Sequence, residues 1–274
     1  MFANLSSASH RHVLSLVILM SGSSTLTAAE RYASLYQFQG SPDGSGPISF
    51  LIADKAGNLY GTTYSGGTGT AFCQGGCGTV FQLRPPNEHG GPWTETVLHS
   101  FAGDQDGYFP STGHLVFDAS GNLYGATQFG GSAPYGYGTI FRLAPPTEPS
   151  GAWTETVLYN FTGGNDGGVP ANGLVMDRAG NLYGTTNDGG EYGFQKGAGT
   201  IFQLSPPQVP GGAWTESTLF SFQQIKDGNE PNELTLDAEG NLYGTRSADN
   251  IHSLAMVLGA IESASKGQRV PVVA

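Results

Sequence analysis

Basic residues are scarce in this chain: 11 Lys and Arg stand against 22 Asp and Glu in 274 residues. An acidic surface of that kind repels nucleic acid and anionic lipid, so neither is an expected partner. Cysteine is nearly absent. Cys73 and Cys77 are the only two, too few for a disulfide framework and two ligands short of a zinc site. No apolar run approaches the roughly 20 residues that span a bilayer. Four histidines, His89, His99, His114 and His252, lie beyond the first thirty residues, and none pairs with another at metal-ligand spacing. There is no Gly-x-Ser-x-Gly elbow, no His-Glu-x-x-His and no Gly-x-x-x-x-Gly-Lys, which removes the usual signatures of a serine hydrolase, a zinc protease and a phosphate-binding loop. No catalytic residue and no cofactor-binding residue is assigned.

Glycine and proline are plentiful, at 43 and 16 residues, and 11% of the chain is aromatic. Abundant turn formers with enough apolar area for a core predict many short strands joined by tight turns. At the N-terminus Arg11 precedes an apolar run from Val13 to Met20 and then small residues ending in "TLTAAE". That order is the pattern of a secretory leader, residues 1–29, with Ala29 the last residue removed. Loss of Arg11 leaves 22 acidic residues against 10 basic. The expected location is secreted, cell-surface or periplasmic, with no membrane span after cleavage.

One word recurs four times: "DKAGNLYGTT" from Asp54, "DASGNLYGAT" from Asp118, "DRAGNLYGTT" from Asp177 and "DAEGNLYGTR" from Asp237. "GTVFQL" at Gly78 returns at Gly138 and Gly199, and "WTETVLHSF" at Trp93 returns at Trp153 and Trp214, with "SLYQF" at Ser34 a shortened first copy. Tyr60, Tyr124, Tyr183 and Tyr243 mark a beat of 64, 59 and 60 residues, a period in the range of propellers and solenoids. Within each unit, Asp-x-x-Gly-Asn between two apolar runs reads as a hairpin turn: Asp bonds its own backbone, and Gly and Asn accept positive φ. The structural turn residues are therefore Asp54, Gly57 and Asn58; Asp118, Gly121 and Asn122; Asp177, Gly180 and Asn181; Asp237, Gly240 and Asn241. A second hairpin, joined by a proline-rich loop, gives four strands per unit. The expected fold is all-β, a β-propeller-like array of about four blades over residues 30–246. Counted this way the chain offers fifteen strands, one short of a closed four-bladed ring.

These words resemble the bacterial tandem-repeat family called GloVer, the Gloeobacter/Verrucomicrobia repeat, from about Leu35 to Thr245. The resemblance implies a secreted or surface-attached, propeller-like protein, in a family whose repeat comes with a variety of surface anchors. It carries no assigned activity, so it transfers no catalytic residue. The chain departs from the pattern after "GTR", where residues 247–274 form a divergent tail. Ile251, Leu254, Leu258 and Ile261 share one helical face, which predicts a short C-terminal helix.

In an exported chain Cys73 and Cys77 read as a disulfide, a local staple of the first unit. The Asp-Gly loops at Ser41, Gly103, Gly163 and Lys226 read first as turns. Asp104 with Asp106, and Asn165 with Asp166, are also candidate ligands for calcium, the one cofactor considered. Glu95, Glu155 and Glu216 recur at one strand position and read as solvent-facing. The leading functional expectation is a non-catalytic scaffold or binding module for a surface glycan or protein. A propeller enzyme of metal-dependent lactonase or lyase type, and a truncated non-functional copy, stay open beside it.

Overall fold

The computed structural model describes residues 13–16, 33–69, 73–88, 90–132, 136–148, 150–191, 197–223, 231–237 and 240–246. Among these residues there are strands and turns and no α-helix. The helix expected in the tail lies outside the described residues, as does most of the leader.

The chain opens with β1 (Val13–Leu16) and β2 (Ala33–Gln37), which pair antiparallel, followed by the two-residue β3 (Gly44–Ser45). The first full sheet is β4 (Ile52–Ala53), β5 (Leu59–Thr63), β7 (Thr79–Arg84) and β8 (Thr94–Ser100), with the short β6 (Ser65–Gly66) pairing β3. The second comprises β10 (Val116–Phe117), β11 (Leu123–Phe129), β12 (Thr139–Ala144) and β13 (Thr154–Asn160), with β9 (Tyr108–Pro110) added along β11. The third is β14 (Val175–Met176), β15 (Leu182–Thr186), β16 (Gly197–Ser205) and β17 (Thr215–Gln223). The fourth has two described strands, β18 (Pro231–Leu236) and β19 (Leu242–Arg246). Each full sheet is an antiparallel meander of four strands in chain order, the arrangement of a propeller blade.

The repeated words acquire physical reasons here. Asp54 closes the β4–β5 hairpin with both carboxylate oxygens: Oδ1 accepts from the N–H groups of Ala56 and Asn58, and Oδ2 from the Asn58 amide (2.7 Å) and the Tyr60 hydroxyl (3.0 Å). Asp118, Asp177 and Asp237 accept the same Asn amide and Tyr hydroxyl in their own turns. At the fourth turn position Gly121 has φ +81°. The glycine after each tyrosine serves a different need. A Cβ on Gly125 would lie 2.6 Å from Phe141 Cζ and 2.7 Å from Leu115 Cδ2, so the bare backbone makes room for the ring. Threonines pair through buried hydroxyls across second and third strands: Thr63 with Thr79, Thr127 with Thr139, Thr186 with Thr200.

The core runs along the seams between blades. Phe101, on the outer side of the first blade, meets Phe141 of the second at 5.2 Å between centroids, and Phe161 meets Phe202 of the third at 5.1 Å. Phe38 meets Phe81 in the same way at 4.9 Å. Trp153 and Trp214 lean on Tyr60 and Tyr124 of the preceding blade. Burying one such ring is worth about 2–3 kcal/mol, so the repeated aromatics hold neighbouring blades together.

Candidate functional site

Four blades built on one repeat present equivalent residues at equivalent places. The leucine three residues before each turn aspartate obeys that rule: Leu51 is half-buried, and Leu115, Leu174 and Leu234 are buried. The residue just before it does not. Phe50, His114, Gly173 and Glu233 occupy this position in the four units.

Three of the four meet. His114 Nδ1 lies 2.5 Å from Glu233 Oε1, so the second and fourth blades touch directly, and the His114 backbone N–H points at the same oxygen from 3.5 Å. Gly173 of the third blade lies beneath the pair: a Cβ there would stand 2.5 Å from Glu233 Oε1 and 2.8 Å from His114 N. Gly113 lies against Gly173 so closely that a Cβ would overlap its nitrogen. Backbone bonds tie the same level together, with Thr112 N–H donating to Ala171 C=O and the Thr62 hydroxyl to Ser111 C=O. Phe50, at the corresponding place in the first blade, is 66% exposed, and Ile48 two residues earlier is 49% exposed.

A carboxylate that accepts from Nδ1–H fixes the imidazole tautomer and leaves Nε2 as an acceptor. Both side chains remain about a third exposed. The pair can bind a hydroxyl or accept a proton; among the described residues no group of three or more His, Cys, Asp or Glu side chains is placed to hold a metal.

Cys73 and Cys77 form a disulfide with Cα atoms 5.1 Å apart. Asp106 commits its carboxylate to the N–H groups of Ala102 and Gly103 and faces His99 Nε2 at 3.4 Å. Asp166 accepts from Thr162 and from the Tyr159 hydroxyl. The contributions of Asp104 and Asn165 to the described bonding are backbone carbonyls, which accept from Gly107 and Gly131 and from Thr218.

The glutamates expected to face solvent do not. Glu95, Glu155 and Glu216 are half-buried, and Oε1 of Glu95 and of Glu155 is shut off from water without a hydrogen-bond partner among the described residues. Burial, reinforced by facing aspartates, pushes all three carboxyls up to about 7. Strand alternation correctly separates them from the exposed threonines on either side, but their face packs into the seam with the preceding blade.

His114 and Glu233 belong to no local motif; their signal is the one odd column that appears when the four units are aligned on the turn aspartate.

The model of the Gloeobacter/Verrucomicrobia repeat matches residues 23–191 and 71–262. The chain belongs to that family. No curated protein matches it. Among solved structures, the GloVer chain is similar to virginiamycin B lyase from Staphylococcus aureus, at 15% identity and TM-score 0.39, covering 74% of this chain and 49% of that one. It thus spans about half the length of that lyase. It is also similar to an oxidoreductase (glucose dehydrogenase) from Thermus thermophilus, at 15% identity and TM-score 0.34, covering 80% and 83% of the two chains. At these scores neither likeness bears on the activity of the GloVer protein.

Proposed function

We propose that this protein is an exported, non-catalytic binding module that takes a hydroxyl-bearing ligand, such as a surface glycan, where the innermost strands converge. The observation behind this reading is the break in repeat symmetry at one register position, which brings His114 onto Glu233. Everything the repeat conserves internally has a packing or turn role, so the odd column is where selectivity can reside. The pair offers hydrogen bonds to hydroxyl groups, and exposed Phe50 offers a flat apolar face of the kind that sugar rings stack on. Export is supported by the leader pattern before Ala29 and by the Cys73–Cys77 bridge, since such bonds persist in oxidising compartments.

The test is binding to immobilised bacterial surface glycans. His114→Ala and Glu233→Gln should each weaken binding by about tenfold or more, while Glu216→Gln, in a seam, should leave it unchanged. Binding indifferent to both central substitutions defeats the reading. Export is checked separately by the N-terminal residue of protein recovered outside the cytoplasm, expected to be Glu30.

The same contact favours a second reading, an enzyme of lactonase or lyase type, because a carboxylate-oriented imidazole is also the arrangement of a general base. Turnover lost in His114→Gln would place that reading first.

A further inference from the structure

The innermost segment of each full blade begins beside the end of the second strand, and this junction repeats. Ser45 faces Ser65 in the first blade, Tyr108 faces Phe129 in the second, and Gly168 faces Asp188 in the third. The residue that follows has a left-handed backbone each time, with φ +68° at Gly46 and +54° at Phe109 and Val169. The backbone is therefore common to the three blades, and the strain at Val169 means that φ alone does not single out the second. The side chains do.

Tyr108 and Phe129 stack with centroids 5.5 Å apart and planes at 26°. Phe109 stacks across the seam on Tyr64, which follows β5 of the first blade, at 4.3 Å and 15°. The two stacked pairs stand nearly at right angles: Phe109 makes 75° with Tyr108 and 84° with Phe129. All four rings are half-buried. At the next seam the places of Tyr64 and Phe109 are held by Gln128 and Val169, so the ring set is not repeated there.

The hydroxyl groups mark the same place. Tyr36, Tyr60, Tyr124, Tyr159, Tyr183 and Tyr243 each donate to an aspartate. The hydroxyls of Tyr64 and Tyr108 have no hydrogen-bond partner among the described residues.

We infer that Tyr64, Tyr108, Phe109 and Phe129 form a binding platform for a pyranose ring of a neutral glycan. Ring faces take up apolar C–H surface, and phenol hydroxyls both donate and accept. A pyranose brings the two in one rigid unit, a C–H face and a rim of hydroxyls. An acyl chain would leave the phenols unmatched. A proline-rich segment docks along aromatic-lined grooves in an extended helix, whereas these two ring pairs lie across one another. With 22 acidic residues against 11 basic, the surface repels anionic sugars. The platform does not depend on the His114–Glu233 pair, so the two readings fail separately.

An array of immobilised neutral oligosaccharides built of hexose and N-acetylhexosamine, probed with the full chain and its variants, tests this. The parent should bind at least one of them. Tyr108→Ala and Phe129→Ala should each weaken that binding by about tenfold or more. Val209→Ser removes an apolar side chain that is 65% exposed elsewhere on the surface, and it should leave binding unchanged. Tyr64→Phe combined with Tyr108→Phe keeps all four rings and removes only the hydroxyls; it should melt with the parent and bind about tenfold more weakly. No binding by the parent, indifference to the ring and hydroxyl changes, or an equal loss in Val209→Ser overturns the inference. If the alanine variants fail to fold, the double phenylalanine variant decides alone. Binding of oligoproline that the ring changes abolish, with no oligosaccharide bound, assigns the rings to a peptide and overturns it equally. Each of these outcomes leaves the central pair to be judged by His114→Ala and Glu233→Gln on bacterial surface glycans.

Discussion

Glu155→Gln should stabilise this protein at pH 8.5 and do little at pH 5. The carboxyl of Glu155 is pushed from its ordinary 4.5 up to about 7, first by burial and then by Asp106, with His99 acting in the opposite direction. At about 1.36 kcal/mol per pH unit the rise corresponds to about 3 kcal/mol in a fully dry site. The side chain is only half-buried, so screening reduces the cost of its ionised form to about 1 kcal/mol. The folded-state pKa lies above the unfolded one, so folding takes up a proton between pH 4.5 and 7 and stability falls as pH rises through that window. Glutamine keeps the shape and removes the charge. The variant should therefore melt about 2–4 °C above the parent at pH 8.5, and the gap should shrink to under about a third of that at pH 5. The corresponding changes at Glu95 and Glu216 sit in other seams and should add. Thermal melts at the two pH values decide the matter. A gap independent of pH, or a loss of stability at pH 8.5, would show that the seam carboxylates are solvated after all.

Three further outcomes follow from the repeat geometry. Gly125→Ala forces a methyl group against Phe141 and Leu115 and should cost about 1–3 kcal/mol by denaturant titration; an unchanged midpoint would mean the ring is not held there. A Cβ at Gly121 meets nothing within 4 Å, so the cost of Gly121→Val comes chiefly from the backbone at φ +81°, about 1–2 kcal/mol, with Gly121→Asn milder; equal loss for the two would point to a steric cause instead. Replacing Cys73 and Cys77 together by alanine should cost about 2 kcal/mol, because the loop they close spans a sequence separation of 4 and short loops restrict the unfolded chain least; a loss of folding would make the bridge more than a local staple.

The repeating parts of the fold are legible in the sequence because each repeated residue answers a local demand. Asp118 and Asn122 close a turn within five residues, and the spacing alone suffices to see it. The seams are less legible. Nothing in "WTETVL" says that Glu155 meets Asp106 of the preceding blade, since the contact spans the gap between two sheets and depends on how blades stack. The candidate site is the least legible of all. His114 and Glu233 stand 119 positions apart, each in an unremarkable context, and their meeting depends on how the second and fourth blades are brought together. β1 is hidden for another reason: leader chemistry and strand chemistry use the same apolar residues, so "VLSL" satisfies both patterns.

Symmetry thus separates two kinds of residue in this chain. A turn aspartate whose two oxygens accept four hydrogen bonds from its own hairpin has little left to offer a ligand, and the same holds in each unit that repeats it. A site used once per molecule breaks the repeat, so under the binding reading proposed above it shows as a departure from it. Among the described residues a clear departure is the column of Phe50, His114, Gly173 and Glu233, a change of side chain on an intact backbone.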